Sequence, residues 1–272
     1  MKVKSSLLTR TNDSIILGKG NAIPRATKQA NKVAINKLQS VAWEMNEELL
    51  MFPEFRDEYV PDTAMTKLEA RQAKDAFNIR DAETDDVIEY LLLNGNRFFF
   101  GWRYDKRGRM YSQGYHVNPQ GNQYRKAMLQ FADKEVLNAE GKRYLLIDIA
   151  NTYGYDKLTW FQRTMKAKAM VADIFADGRS RDKKIRAYAS NADDHLLFMK
   201  AILAWKAGVI EGKAIGHNMG LDGTASGIQF MSALSACSVS ARQSNVHACE
   251  ERTTAHNVQD RIAELELELA SL

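Results

Sequence analysis

The chain has 272 residues, which is enough for one large domain or two small ones. Its 45% hydrophobic and 26% charged residues are typical of a folded globular protein and exclude disordered and collagen-like classes. No apolar run reaches the roughly 18 residues of a membrane span, and none follows the basic N-terminus, so we expect a protein that is neither exported nor membrane-bound. Cys237 and Cys249 cannot make a disulfide framework or a four-ligand zinc site, so we expect two reduced thiols.

Positive charge is concentrated in two parts of the chain. Residues 1–32 contain seven basic residues against one acid, residues 101–126 contain six against one, and residues 250–272 contain six acids against two arginines. Because Lys and Arg beside phosphates release condensed counterions, the two basic clusters indicate a phosphate-rich partner. A solvated basic face is the alternative interpretation.

The first half of the chain is predicted to contain mainly helices. Apolar residues at helical spacing predict a helix over residues 34–49 that Pro53 ends, and residues 57–62 have the composition of a linker. Two apolar stripes over residues 65–92 are separated by polar residues, which predicts a helical hairpin or one long broken helix, closed by Asn-Gly-Asn at residues 94–96.

The remainder mixes short strands with helices. Strands are predicted at residues 98–103, 110–115 and 216–221, a turn at 118–122, and helices at 141–152, 161–175, 195–209 and 226–237. Residues 178–194 have no apolar pattern and are interpreted as a mobile surface excursion. Val258, Ile262, Leu265 and Leu269 predict a C-terminal amphipathic helix, which either docks a partner or folds back on its own domain.

Asp222 and Gly223 form a candidate metal site, directly before the predicted helix at residues 226–237. Mg²⁺ prefers oxygen ligands, and the Asp222 carboxylate and the unobstructed Gly223 carbonyl provide two of them. The alternative is an Asp-Gly turn followed by an N-cap at Ser226.

A second candidate site is basic and aromatic. It comprises Asp-Lys-Arg-Gly-Arg-Met-Tyr at residues 105–111, followed by Asn-Pro-Gln-Gly-Asn at 118–122 and by Lys126. The guanidinium groups of Arg107 and Arg109 match phosphate oxygens, and the ring of Tyr111 offers a face on which a base can stack. A basic hairpin with an internal Asp to Arg pair is the alternative.

These units, in this order, resemble motifs of the single-subunit DNA-dependent RNA polymerases of phages and mitochondria. Residues 105–111 resemble the family's Asp-x-x-Gly-Arg element, which contacts template and hybrid, and residues 118–122 with Lys126 resemble its Asn-Pro-Gln-Gly-Asn segment and hybrid-contacting lysine. Residues 221–229 resemble motif A of the palm, although Phe230 stands where the family usually has His. The resemblance spans roughly residues 32–245.

The resemblance implies an α+β, mostly helical chain that forms a reduced thumb and the N-terminal half of a palm in a right-hand polymerase fold. It implies four parts: an N-terminal basic helical remnant (1–59), thumb-like helices (60–93), the palm (94–234) and the start of the fingers or a docking helix (235–272). It further implies that Asp222 is catalytic, that Asp222 and Gly223 hold Mg²⁺, and that Arg107, Arg109, Tyr111 and Lys126 bind nucleic acid.

The sequence after motif A contains no counterpart of the family's motifs B and C. We therefore expect a subunit of a phage RNA polymerase, similar to the small subunit of the heterodimeric phage enzyme and active only with a second subunit carrying those motifs. The expected partners are the DNA template, the RNA:DNA hybrid, nucleoside triphosphates and a single-stranded DNA-binding or recruiter protein. The expected location is the cytoplasm of the infected bacterial host, with no membrane contact.

A different class of function is the alternative: a non-catalytic nucleic-acid-binding protein derived from a polymerase fragment. A neighbouring reading frame that encodes motifs B and C would favour the split enzyme, and its absence would favour the binding protein.

Overall fold

The structure is a computed structural model that describes residues 29–52, 56, 59–104, 109–220, 226–244 and 246. These residues form helices and small antiparallel sheets, which confirms the predicted mostly helical α+β class. They belong to two compact units, one containing residues up to 135 together with 215–218, the other containing residues 136–214 and those from 219 onward. The right-hand arrangement and the four-part division stay predictions. None of the helices in the described ranges is long and apolar enough to cross a bilayer.

The first unit contains short helices, one long helix and two small sheets. Its elements are α1 (Gln29–Gln39), β1 (Ala42–Met45), α2 (Glu47–Leu50), α3 (Lys67–Leu93), β2 (Phe98–Phe99), β3 (Trp102–Tyr104), β4 (Met110–Ser112), α4 (Gln123–Ala127) and β5 (Leu129–Phe131). One sheet is antiparallel with the order β2-β1-β5, and the other is a two-stranded ribbon of β3 and β4.

Strand β1 corrects the prediction of a helix over residues 34–49. The helix is right as far as Gln39, where α1 ends, but the next apolar residues form the central strand of the sheet. Trp43 is paired with Phe98 on one side and with Phe131 on the other, and its ring lies 4.8 Å from the Phe131 ring. Pairing along both edges outweighs the local helical periodicity, because strand preference depends mainly on the surroundings.

Helix α3 is continuous, so the hairpin alternative and the predicted break are wrong. It begins with a capping box in which Thr66 Oγ1 accepts the Glu69 N–H and Glu69 Oε2 accepts the Thr66 N–H. The polar stretch predicted to break it is helical, and Thr84 within it is buried: its hydroxyl donates to the carbonyl oxygen of Arg80 and lies 3.1 Å from Nδ1 of His116. A polar residue can therefore belong to the buried face of a helix when its polar atom has hydrogen-bond partners.

The predicted turn at residues 94–96 is confirmed and connects α3 to the sheet. Gly95 and Asn96 both have positive φ, of 89° and 47°, a conformation that Gly and Asn tolerate best. The side chain of Asn96 then pairs with the backbone of Met45, accepting its N–H at 2.7 Å and donating to its carbonyl at 3.0 Å. The end of α3 is thereby fixed to β1.

The second unit is helical in its described residues. Its elements are α5 (Ala139–Ala150), α6 (Trp160–Ile174), α7 (Arg181–Ala189), α8 (His195–Trp205), α9 (Ser226–Ser235) and α10 (Ser238–Gln243), with π-helical turns at Asn151–Tyr155 and Lys206–Ile210. The helices predicted at residues 141–152, 161–175, 195–209 and 226–237 are confirmed within a few residues at each end. Residues 178–194, interpreted as a mobile excursion, instead contain α7, which buries Ile185 and Ala189.

The core of this unit includes an acid and a lysine. Asp148 on α5 and Lys200 on α8 are both buried, and only 1% of Lys200 is exposed. Burial disfavours the ammonium ion and lowers the pKa of Lys200 to about 7, although the charge of Asp148 opposes this shift. Lys200, a charged residue in an otherwise apolar stretch of α8, is therefore part of the core.

Lys200→Met should flatten the pH dependence of stability. Between the folded pKa of about 7 and the ordinary value of 10.5, the unfolded chain binds a proton that the folded chain does not. This group therefore makes stability rise with pH, by up to about 1.4 kcal/mol per pH unit, and the variant lacks that contribution. Urea unfolding from pH 6.5 to 10 measures the slope. Exposed Lys168→Met on α6 is the control, and equal slopes for wild type and Lys200→Met would contradict the prediction.

Candidate nucleic-acid interface

Three of the predicted site residues, Arg109, Tyr111 and Lys126, lie in described parts of the first unit. Arg107, the motif A pair Asp222 and Gly223, and the C-terminal helix at residues 258–269 lie outside the described residues. Within the described ranges, no group of three or more His, Cys, Asp or Glu side chains could hold a metal ion.

The ribbon of β3 and β4 carries the first part of the basic and aromatic site. Its register places Arg103 directly opposite Tyr111, and Trp102 opposite Ser112. Directly opposite residues point to the same face of an antiparallel pair, so Arg103 and Tyr111 form one basic and aromatic surface. Arg109, which precedes β4, is exposed, whereas Tyr111 is half-buried. A guanidinium and a ring on one face suit a phosphate beside a stacked base.

Gln120 joins the two sequence motifs. Its Nε2 donates to the Met110 carbonyl at 3.0 Å, and its Oε1 accepts the Ser112 N–H at 2.8 Å. These backbone groups lie on the edge of β4 that β3 leaves open, so the carboxamide takes the place of a further strand. Asn118 positions Gln120 by accepting its N–H at 2.8 Å and by donating to the Gly114 carbonyl. The sequence shows the motif but not this contact.

Helix α4 presents Lys126 beside this turn. The side chain of Asn122 caps the helix by accepting the Arg125 N–H at 3.0 Å, while Tyr124 is buried beneath it. Lys126 is exposed on the opposite side. Gly121 is required here because a Cβ on it would lie 2.8 Å from the side chain of Arg125. The turn is therefore followed directly by a helix that carries two basic residues, Arg125 and Lys126.

An aromatic groove of about 560 Å³ lies between α3 and the turn. Its lining includes Tyr59, Phe77, Arg80, Tyr115 and Asn122. The guanidinium of Arg80 lies 5.0 Å from the centre of the Phe77 ring, and Tyr115 is exposed. Aromatic rings and a guanidinium are groups on which unpaired bases stack. Sequence analysis missed the groove, because its residues come from three separate segments.

The chain that leads towards Asp222 is anchored to the end of β5. Gly216 accepts the Phe131 N–H at 2.7 Å, and Ile215 exchanges two backbone hydrogen bonds with Glu135. A Cβ on Gly216 would lie 1.8 Å from the Phe131 carbonyl oxygen, so only glycine fits this approach. The pairing is an isolated bridge. The strand predicted at residues 216–221 is therefore wrong for the described residues 216–220, none of which belongs to a strand.

Gln120→Glu should weaken the attachment of the turn to β4. A carboxylate can still accept the Ser112 N–H but cannot donate to Met110, which leaves that carbonyl facing another acceptor. We expect a loss of about 1–3 kcal/mol in the free energy of unfolding and faster hydrogen exchange at the Ser112 amide. Exposed Gln72→Glu on α3 makes the same charge change and is the control. Unchanged exchange at Ser112 would show that the carboxamide does not hold this edge.

Comparison with known proteins gives one consistent family. Residues 135–266 match the family described as DNA-dependent RNA polymerase. The chain is 27% identical to a probable DNA-directed RNA polymerase of Agaricus bitorquis, over 74% of this chain and 20% of the relative. It is 27% identical to the DNA-directed RNA polymerase of Pseudomonas phage phiKMV, over 74% of this chain and 30% of the relative. It is 26% identical to the DNA-directed RNA polymerase of Enterobacteria phage T3, over 78% of this chain and 28% of the relative.

The chain thus spans about a fifth to a third of the length of these curated relatives. The matched residues 135–266 include the Asp222-Gly223 pair, and the alignments with the relatives cover about three quarters of the chain. The sequence motifs and the matches agree: this chain is similar to the DNA-dependent RNA polymerases of phages and mitochondria.

Proposed function

We propose that this chain is a catalytic subunit of a phage DNA-directed RNA polymerase that is completed by a second subunit carrying motifs B and C. The observation that carries the proposal is the family match over residues 135–266, which includes the Asp222-Gly223 pair. Relatives named DNA-directed RNA polymerase from two phages support the same activity. The expected substrates are nucleoside triphosphates on a DNA template.

Asp222 is the proposed catalytic residue. Its carboxylate and the carbonyl of Gly223 are hard oxygen donors, which is the donor class that Mg²⁺ prefers. When bound, Mg²⁺ supplies positive charge that stabilises the transferring phosphoryl group. A two-metal site needs carboxylates that clamp both ions, so Asp222 acts together with a carboxylate from another part of the polymerase. We assign that carboxylate to motif C of the second subunit.

The basic and aromatic site of the first unit is the proposed contact with the template and the RNA:DNA hybrid. Exposed Arg109 and Lys126 neutralise phosphates, and Tyr111 offers a stacking face beside Arg103. Arg107, outside the described residues, is assigned the same phosphate role. The hydrogen bonds of Gln120 support the assignment, because they hold β4 and the turn before α4 as one surface.

The remaining assignments follow from the same proposal. Residues 1–59 are an N-terminal basic remnant, residues 60–93 a reduced thumb, residues 94–234 half of the palm, and residues 235–272 the start of the fingers or a docking helix. The single long helix α3 supports the thumb assignment. Initiation uses single-stranded template or a recruiter protein, in the cytoplasm of an infected bacterial cell.

Arg109→Ala and Lys126→Ala should each weaken binding to an RNA:DNA hybrid and reduce its salt dependence. Each substitution removes about one phosphate contact, which lowers the slope of log affinity against log salt by about 1. Fluorescence anisotropy with a labelled hybrid at several salt concentrations measures both quantities. Lys183→Ala, an exposed lysine on α7, is the control. If both variants keep the wild-type slope, the cluster is only a solvated basic face.

Asp222→Asn should remove RNA synthesis from the assembled enzyme and leave its assembly and hybrid binding near wild type. A neutral amide is a poor Mg²⁺ ligand, so we expect at least a tenfold loss of the extension rate, equivalent to about 1.4 kcal/mol of barrier. The assay is extension of a primed hybrid, with and without the purified chain carrying motifs B and C. Asp182→Asn, exposed on α7, is the charge control.

Three results would contradict this proposal. Extension by the chain alone would show that it needs no second subunit. An Asp222→Asn complex with more than about a tenth of the wild-type rate would remove the metal role of Asp222. Hybrid binding without extension in the presence of the motif B and C chain would favour the non-catalytic binding protein.

A further inference from the structure

Helices α9 and α10 present an apolar face to solvent. The exposed fractions are 73% for Phe230, 64% for Met231, 83% for Leu234 and 64% for Val239. Phe230, Met231 and Leu234 occupy positions i, i+1 and i+4 of α9, so they form one continuous face of the helix. Contiguous exposed apolar surface of this kind marks an interaction site in a folded protein.

The burial pattern of α9 is inverted relative to that of a solvated surface helix. Its buried residue is Ser232, with 2% exposed, and the hydroxyl of Ser232 donates to the Gln229 carbonyl within the same helix. A surface helix normally buries its apolar stripe and exposes polar side chains. The contacts of α9 within the described residues therefore leave the larger part of its apolar surface uncovered.

The face is held in place by contacts that do not use its apolar side chains. Gln229 Nε2 donates to the Ser244 carbonyl at 2.7 Å, and the Cys237 N–H donates to the Ser232 carbonyl at 3.0 Å. These hydrogen bonds fix α10 against α9 from the polar side. Phe230 and Leu234 take no part in these hydrogen bonds and are mostly exposed, so we expect polar residues at these positions to be compatible with the fold.

We propose that this α9–α10 face is the docking surface for the second polymerase subunit. The inference rests on the proposed function, and it adds where the partner binds. Ser226, the first residue of α9, follows Asp222 by only three intervening residues, so α9 is the described helix that directly follows the proposed metal ligand in the sequence. The relatives contain more than two thirds of their length outside the matched region, which supplies a large partner surface.

The residue composition of the α9–α10 face indicates what kind of partner surface can bind to it. Helix α9, with the sequence Ser-Gly-Ile-Gln-Phe-Met-Ser-Ala-Leu-Ser, contains no charged residue. An uncharged, aromatic and methionine-containing patch is typical of the core of a stable interface, and it requires an apolar counterpart on the partner. Affinity should depend mainly on Phe230 and Leu234, the bulkiest and most exposed side chains, because few residues carry most of the binding free energy.

The experiment measures the affinity of this chain for the purified polymerase chain with motifs B and C encoded in the same genome. Phe230→Asp combined with Leu234→Asp should weaken the complex by about 30-fold or more, while extension at saturating partner stays near wild type. Phe161→Asp on α6 is the matched control, since 72% of Phe161 is exposed, and it should bind like wild type. Circular dichroism melts of each chain check that the variants fold.

The outcomes of this experiment distinguish the second subunit from other possible occupants of the α9–α10 face. Wild-type affinity of the folded double variant would overturn the docking surface and leave the proposed function standing. Failure of the wild-type chain to bind the motif B and C chain would overturn both. A homodimer that the double variant disrupts would assign the face to a second copy. If the amides of α9 are protected from hydrogen exchange in the lone chain, and Ile262→Asp with Leu265→Asp removes that protection, the face is covered by the chain's own C-terminal segment.

Discussion

The backbone pairing of β1 is the constraint on which the first unit depends. Both edges of this four-residue strand are occupied, by β2 on one side and β5 on the other, so backbone groups along both edges have partners in neighbouring strands. Asn96 connects the end of α3 to it, and Asn46, directly after β1, donates its N–H to the Met128 carbonyl at the end of α4. The outer edge of β5 then holds Gly216. One strand thus fixes α3, the helix that carries Lys126, and the backbone that leads towards Asp222.

The candidate interface also depends on hydrogen bonds to the edge of a strand, here supplied by a single side chain. The ribbon of β3 and β4 has an open edge, and an open edge needs hydrogen-bond partners. The carboxamide of Gln120 supplies one donor and one acceptor in the spacing of a strand backbone. A side chain of this kind can be held by a turn, as Asn118 holds Gln120 here, which lets two motifs separated along the chain act as one surface.

Long elements with a clear apolar period were predictable, and short elements determined by tertiary contacts were not. Helices α5, α6 and α8 each bury four or more residues, on one face of the helix or around its whole circumference. Their apolar pattern in the sequence therefore identifies them as helices. The apolar residues of β1 also fit the helical spacing predicted for residues 34–49. Pairing with the neighbouring strands β2 and β5 is what makes this segment a strand. Helix α7 buries just Ile185 and Ala189, too few for a pattern. The close approach of Gly216 to Phe131 is a feature of the folded backbone, with no local signal.

The two most apolar helices of the second unit show why exposure cannot be predicted from composition. Helix α8 is buried on nearly every side, so even Lys200 lies in the core and its pKa falls to about 7. Helix α9 is also mostly apolar, yet Phe230 and Leu234 are exposed while Ser232 is buried. The difference lies in packing partners, because α5 and the first π-helical turn cover α8, whereas among the described residues α9 packs mainly on α10. Exposed apolar surface is less favourable in water than buried apolar surface, which is the physical reason for proposing that another polypeptide covers the exposed face of α9.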